Sequence, residues 1–236
     1  MRNYFIFGGK DSRDYGVYLS GAGTYNSPAR EYQNINIPGR DGDLLGISTR
    51  LQNVELTYRC GIVEDAEDNL ADLRSMLLST VGYVRLTDSY HPEEYRLAVY
   101  KGGLEAEMEP RLQAGEFDLT FECKPQRYLV IGETPVTLSA GASITNPTPM
   151  PARPLIRVSG YGELTVGDVT VEIAENSYTH IDIDCEMMDC FSGDANCNAL
   201  VSFSGNDFPV LPAGETGIAY DSTITSCQIT PRWWRV

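Results

Sequence analysis

Residues 154–190, PLIRVSGYGELTVGDVTVEIAENSYTHIDIDCEMMDC, alternate apolar and polar side chains almost throughout. Leu164 and Val166, then Val169, Val171 and Ile173, then Ile181 and Ile183 fall on one side of successive runs, with Gly, Asn, Asp and Ser between the runs. A strand points its side chains alternately to opposite faces, so a period of two broken by turn residues predicts short antiparallel strands, the pattern of a β-sandwich or jelly roll. Downstream, Phe208–Leu211 reads as a strand edge, Gly214–Gly217 as a turn, and Ile224–Ile229 as a strand leading to Pro231-Arg232-Trp233-Trp234. No helical period occurs in this half.

Upstream lies Glu133–Pro154, which holds five of the 13 prolines. Proline locks φ, removes a donor and pushes the residue before it toward extended geometry, so this stretch reads as a junction between two bodies. Its segments Pro135–Leu138 and Ala142–Thr145 have strand-like composition and go with the second body. The expected division is 1–132 and 133–236, with the hinge near Gly132 and Glu133.

In the first body, Tyr4–Phe7 and Val17–Leu19 are aromatic and β-branched runs separated by Gly8-Gly9 and a polar turn. Glu31–Ile37 alternates and runs into Pro38-Gly39-Arg40-Asp41-Gly42-Asp43 before Leu44-Leu45, which predicts a projecting β-hairpin, since Asp-Gly supplies the positive φ a tight turn needs. Asp41 and Asp43 alone offer too few oxygens for a calcium loop. Val54–Val63 alternates, with Leu56, Tyr58 and Cys60 opposite Glu55, Thr57 and Arg59. One helix follows, with Ala66, Leu70, Leu73 and Leu77 at helical spacing and the acids Glu64, Asp65, Glu67 and Asp68 crowding its N-terminal turn, where they complement the helix dipole. Tyr83–Leu86, Tyr95–Tyr100 and Phe117–Cys123 complete a sheet with one covering helix.

Charge narrows the function. With 33 acidic and 18 basic residues the formal net charge is −15, which repels phosphate and argues against sequence-specific nucleic-acid binding. The opening MRNYFIFGGKDSRDYG meets glycine and charge too early for a signal peptide, and no apolar run is long enough for membrane insertion, so synthesis in the cytosol without export by that route is expected. Six cysteines are too sparse for a disulfide scaffold, and the spacing of Cys185, Cys190 and Cys197 matches no zinc pattern. His91 and His180 have no nucleophile at a motif spacing, and the glycine pairs form no phosphate loop. Asp182, Asp184 and Glu186 alternate as if on one solvated strand face, where paired carboxylates would serve a hydrolase. Nothing marks a distinct acid and base among them, so no catalytic residue, cofactor or metal is expected.

Several short motifs in order carry a resemblance: Phe5-x-Phe7-Gly8 with Asp11-Ser12 and Gly16, then Ile37-Pro38-Gly39-Arg40-Asp41-Gly42 and Phe121-Glu122-Cys123-Lys124-Pro125-Gln126. In the second half follow Asn146-Pro147-Thr148, Pro154-Leu155-Ile156, Gly160-x-Gly162, Ile183-Asp184-Cys185-Glu186, Phe208-Pro209-Val210-Leu211 and the terminal Pro231-Arg232-Trp233-Trp234. Together they resemble the distal tail protein family of long-tailed, flexible-tailed bacteriophages (siphovirus tail components), and the likeness spans nearly the whole chain.

The resemblance implies a mainly β protein: an N-terminal β-sandwich-like ring domain with one α-helix and the projecting hairpin, followed by a galectin-like β-sandwich (jelly roll). It implies a virion role as a homohexamer, the hub of a tail tip or baseplate. That hub would join the major tail (tube) protein to the tail-associated or tail-tip protein, with receptor-binding proteins at the periphery in some phages. It places the hairpin, with Ile37, Pro38, Gly39, Arg40, Asp41, Gly42, Asp43 and Leu44, at intersubunit contacts. An alternative is a carbohydrate-binding, lectin-like module for host attachment, in which exposed aromatics such as Tyr161 and Tyr178 stack on sugars. The Trp233-Trp234 pair reads instead as a packed C-terminal anchor.

Overall fold

The structure, a computed structural model, describes residues 2–23, 25–63, 65–109, 114–205 and 207–236. Through Cys123 the chain forms β1 (Phe5–Phe7), β2 (Lys10–Asp11), β3 (Val17–Ser20), β4 (Arg30–Ile35), β5 (Leu44–Leu51), β6 (Val54–Ile62), α1 (Ala66–Ser79), β7 (Val84–Asp88), β8 (Glu94–Val99), β9 (Ala106–Glu109) and β10 (Ala114–Cys123). The main sheet runs β2-β1-β7-β8-β10-β6-β3, with β9 added beside β10, while β4 and β5 pair only with each other.

The alternation read from Val54 onward becomes the central ladder. β6 buries Val54, Leu56, Tyr58, Cys60 and Ile62 and exposes Glu55, Thr57 and Arg59. It pairs antiparallel with β10 in a register that sets Phe117 opposite Cys60, Leu119 opposite Tyr58 and Phe121 opposite Leu56. Inward rings gather around Phe121, with centroids of Phe7 at 4.8 Å, Phe5 at 5.7 Å, Tyr100 at 6.1 Å and Tyr58 at 6.2 Å. Such offset and edge-on pairs add to the stabilisation from apolar burial. α1 lays Ala66, Leu70, Leu73, Met76 and Leu77 into the same core, with Glu67 and Asp68 in its first turn. Glu64 lies outside the described residues. Turning the helix face away would expose five apolar side chains, each worth about 1.5–3 kcal/mol if it is large.

The second half contains β11 (Arg127–Leu129), β12 (Val136–Leu138), β13 (Ser143–Asn146), β14 (Leu155–Gly160), β15 (Gly162–Val166), β16 (Val169–Ile173), β17 (Ile181–Asp184), β18 (Asp189–Ser192), β19 (Ala195–Asn196), β20 (Val201–Phe203), β21 (Gly214–Tyr220), β22 (Ile224–Thr230) and β23 (Trp234–Arg235). One sheet runs β12-β22-β14-β17-β18-β19 and the other β13-β21-β15-β16-β20. Ile156, Ile183 and Ile229 from the first sheet share one apolar core with Leu164, Val171 and Ile218 from the second, so this unit is a β-sandwich. Trp233 is buried in that core, and Trp234 donates its ring N–H to the Pro151 carbonyl at 2.9 Å.

Contacts divide the chain into one unit ending at Arg127, joined by Val236, and a second from Tyr128 to Arg235. The division falls ahead of the 132/133 boundary expected from composition. The reason is local: Leu129 N–H donates to the Trp233 carbonyl and Arg232 N–H to the Gly132 carbonyl, both at 2.8 Å, which ties residues 129–132 to the C-terminal segment. The proline-rich stretch belongs to the second unit and folds around Asn146. Its side chain donates to the carbonyls of Met150 and Leu211 and accepts from the N–H and hydroxyl of Thr148.

Phe208–Leu211 is not a strand. Its β-pairing is limited to the bridge between Ala152 and Leu211, because Pro209 and Pro212 lack the donors a ladder needs. β9 is a strand that the alternation did not signal. Among the described residues no helix is long and apolar enough to cross a membrane.

The sharpest backbone constraint in the second unit is Gly160. Its φ is +102°, and a Cβ there would meet the Thr223 carbonyl oxygen at 2.2 Å. Gly160→Ala is expected to destabilise the protein by about 2 kcal/mol or more, measured as a lower urea midpoint at unchanged slope.

Candidate functional site

The hairpin is built differently from every other pair of strands. β4 and β5 pair antiparallel from Ile35–Leu44 through Tyr32–Ile47, with a register shift between Arg30 and Tyr32. Gly39 at φ +82° and Gly42 at φ +78° shape the connection, and a Cβ on either would meet nothing within 4 Å. The alternation of Glu31–Ile37 does not separate a buried face from a wet one. Tyr32 is 52% exposed, Ile35 42%, Leu44 52% and Leu45 49%.

Within the turn, Ile37 is half-buried, while Pro38, Gly39, Arg40, Asp41, Gly42, Asp43 and Leu44 are exposed. An ion pair between Arg50 and Glu31 at 2.7 Å spans the two strands near their base, itself exposed and so worth little. Two strands alone are marginally stable in water, and an exposed apolar ribbon with free edges is a surface prepared for another chain. Tyr32 was not singled out by sequence reasoning. The available signal was apolar side chains on both sides of one short alternating run.

The acidic trio is not a solvated strand face. β17 buries all four of its residues, Asp182 and Asp184 being 4% exposed, and Glu186 lies in the turn beyond the strand. Each aspartate holds a bidentate arginine: Arg157 Nε and Nη2 donate to Asp182 at 2.7 and 2.8 Å, and Arg232 Nη1 and Nη2 donate to Asp184, both at 2.8 Å. The backbone N–H groups of Glu186 and Met187 also donate to Asp184 Oδ1 at 3.0 Å. Alternation was read as wet on one side, but a carboxylate can be buried when fork-shaped donors satisfy it. These pairs brace the sandwich and leave no carboxylate placed as a separate acid or base.

Burial alone pushes the Asp184 carboxyl up. The Arg232 hydrogen bonds, the Met187 and Glu186 amides and the Arg232 charge outweigh it and hold the group below the usual aspartate value. Arg232 sits at φ +56°, a strained backbone for a non-glycine residue, held where the fork meets Asp184.

The remaining candidates stay apart. His91 Nδ1 faces Asp88 Oδ1 at 3.3 Å and His180 Nε2 faces Asp182 Oδ2 at 3.8 Å, in different units. Tyr161 and Tyr178 are 39% and 40% exposed, and among the described residues no ring contact joins them. All six cysteines are free and buried. Burial pushes the thiols of Cys60, Cys123, Cys185 and Cys190 up to about 12 and that of Cys227 up to about 11, so they pack as small apolar groups. Among the described residues no group of His, Cys, Asp and Glu is arranged to hold a metal ion.

Residues 10–123 match the sequence profile of the phage tail protein RIFT-related domain. Over 97% of its length the chain is similar to a crystal structure of the Dit (gp 19.1) protein of phage SPP1, described as a paradigm of the hub adsorption apparatus in phages that infect Gram-positive hosts. The identity is 16%, the TM-score 0.75, and 98% of that chain is covered. It is also similar to the phage P2 baseplate in its activated conformation, with Ca at 10% identity and TM-score 0.55, and with Sr at 11% and 0.53, each over 97% of both chains. No curated protein matches the chain in sequence. At these identities the likeness to the solved structures is one of fold, and it runs the length of the chain.

Asp184→Asn removes the bidentate partner of Arg232, leaving it only Glu186 at 3.7 Å, and is expected to cost about 3 kcal/mol, read from urea unfolding at pH 7. Because the folded carboxyl is depressed, its contribution is present above the unfolded value of about 3.9 and disappears as pH falls through the lower folded value. Stability of the parent protein should therefore fall toward that of Asp184→Asn below about pH 4; a gap that stays constant down to pH 2 would contradict the assignment.

Proposed function

We propose that this chain is a member of the distal tail protein family of bacteriophages, a non-catalytic structural hub of the virion tail that closes into a hexameric ring through its β4–β5 hairpin. The observation that carries this reading is a two-stranded ribbon, outside the main sheet, with Tyr32, Ile35, Leu44 and Leu45 in water. A ribbon of that kind gains most by laying its apolar side chains on a neighbour. When every copy carries the same ribbon and the same receiving surface, the contact is heterologous, and it closes into a ring if the rotation per subunit divides the circle.

In the ring the hub takes the major tail tube protein on one side and the tail-associated or tail-tip protein on the other, with receptor-binding proteins attached at the periphery. The division of the chain supports this arrangement. One unit carries the ribbon and the other is a self-contained sandwich braced by internal ion pairs, so the second unit is free to serve other partners.

Light scattering and negative-stain imaging of the purified protein should give a ring of six at high concentration. Ile35→Asp with Leu44→Asp, both exposed in the single chain, should abolish that species while shifting monomer stability by less than about 0.5 kcal/mol. Gly39→Val and Gly42→Val should weaken assembly as well, through strain at positive φ rather than a clash. A monomeric parent protein at every concentration, or rings that survive the paired aspartates, would overturn the reading.

A further inference from the structure

A side-chain amide fastens each foot of the hairpin to the main sheet. Ahead of β4, Asn26 donates Nδ2 to the Glu55 carbonyl at 2.6 Å and accepts Nη2 of Arg96 on its Oδ1 at 3.1 Å. Behind β5, Asn53 donates Nδ2 to the Tyr83 hydroxyl at 2.7 Å and to Glu122 Oε1 at 2.8 Å. Lys101 holds the other oxygen of Glu122, and this pairing, with the Asn53 hydrogen bond, keeps that carboxyl below its ordinary value. The anchoring groups belong to β6, β8 and β10 and to the residue just before β7.

Arg96 stands apart among them. It is 7% exposed, and among the described residues no carboxylate lies within ion-pair distance of its guanidinium. Burying a cation with no directly paired carboxylate is costly: burial pulls its pKa down, and the field of Glu94 does not restore it. Core packing does not call for a guanidinium at that place, since an apolar chain of the same length would fill it. Of the Arg96 fork, Nη2 donates to Asn26, while Nη1 is buried without a hydrogen-bond partner among the described residues. A charge-assisted hydrogen bond from a buried, immobile donor is the strongest kind available to hold an otherwise irregular loop.

Leverage explains why the foot matters. β5 has eight residues, about 26 Å at roughly 3.3 Å per residue, so a tilt of about 10° at the base moves the tip by about 5 Å. That is a full strand spacing, enough to take Ile35 and Leu44 off a receiving surface.

We propose that Arg96 is a positioning residue for assembly: by clasping Asn26 it sets the direction in which the β4–β5 hairpin leaves the sheet, while Asn53 holds the other foot. The functional consequence rests on the hairpin being the assembly element; the clasp itself does not. Hydrogen–deuterium exchange of the purified protein separates the two.

In Asn26→Ala and in Arg96→Met, residues 30–51 should exchange about tenfold faster or more, the effect of losing one charge-assisted hydrogen bond. β6 and β10 should keep their protection, and the double variant should be no worse than the more affected single one. Asn53→Ala should add to either. Unchanged exchange in 30–51, additive effects of Asn26→Ala and Arg96→Met, or equal loss of protection across β6 and β10 would each overturn the clasp. If Arg96→Met does not fold, Asn26→Ala alone decides between the first and last of these outcomes. Light scattering of Asn26→Ala should show fewer rings; accelerated exchange with an undiminished ring population would leave the clasp standing and remove the hairpin from assembly.

Discussion

The antiparallel ladder between β6 and β10 is the constraint on which the first unit depends. Its register puts Tyr58, Leu56 and Cys60 against Leu119, Phe121 and Phe117 on one face, and that face receives β1, α1 and the remaining rings. On the other face Thr57 meets Thr120 and Arg59 pairs with Glu116, partners that cost nothing to leave in water. A slip of one residue would exchange the two faces, putting phenyl rings in solvent and carboxylates in the core. The same ladder also presents Glu55 and Glu122, the acceptors that hold the hairpin's feet.

The hairpin inverts this logic. Where the ladder is stable because one face is covered, Tyr32, Ile35, Leu44 and Leu45 of β4 and β5 stay exposed, and apolar side chains so placed are the ones a neighbour would need. On the proposed reading, a hub that joins copies of itself and other proteins would have these demands separated by a ribbon mounted on a sheet, with stability in the sheet, direction in the feet and recognition at the tip. Anchoring through side-chain amides suits the task, because an amide fixes two bonds without adding charge to a surface that already carries a net −15.

In the second unit the corresponding problem is a carboxylate-rich sandwich. Thirteen of its residues from Glu133 onward are acidic and four are arginine. Two of those arginines are placed as forks on the two buried aspartates of β17, where each is worth more than on the surface, since leaving either aspartate unpaired in the core would be severely destabilising. The strained backbone of Arg232 is the local cost of that placement, and the pair fixes the C-terminal segment that brings Trp233 into the core.

Much of this was legible in the residues. Period-two alternation marked β6, β10 and the strands from Leu155 to Asp184, the spacing of Leu70, Leu73 and Leu77 marked the helix, and Gly39 with Gly42 marked the hairpin turn, because each depends on backbone geometry that neighbouring residues dictate. The motif order that carries the family resemblance is legible for the same reason: it records local turns and strand ends. What lay outside local reach was decided by the tertiary structure. Alternation states which residues share a face, and only packing states whether that face is wet. Asp182 and Asp184 read as solvated until Arg157, twenty-five residues upstream of Asp182, and Arg232, forty-eight downstream of Asp184, are brought against them. Arg96 and Asn26 meet across seventy residues. Their bond exists because the strand order brings β8 and β6 within reach of the loop ahead of the hairpin, which no stretch of sequence expresses alone.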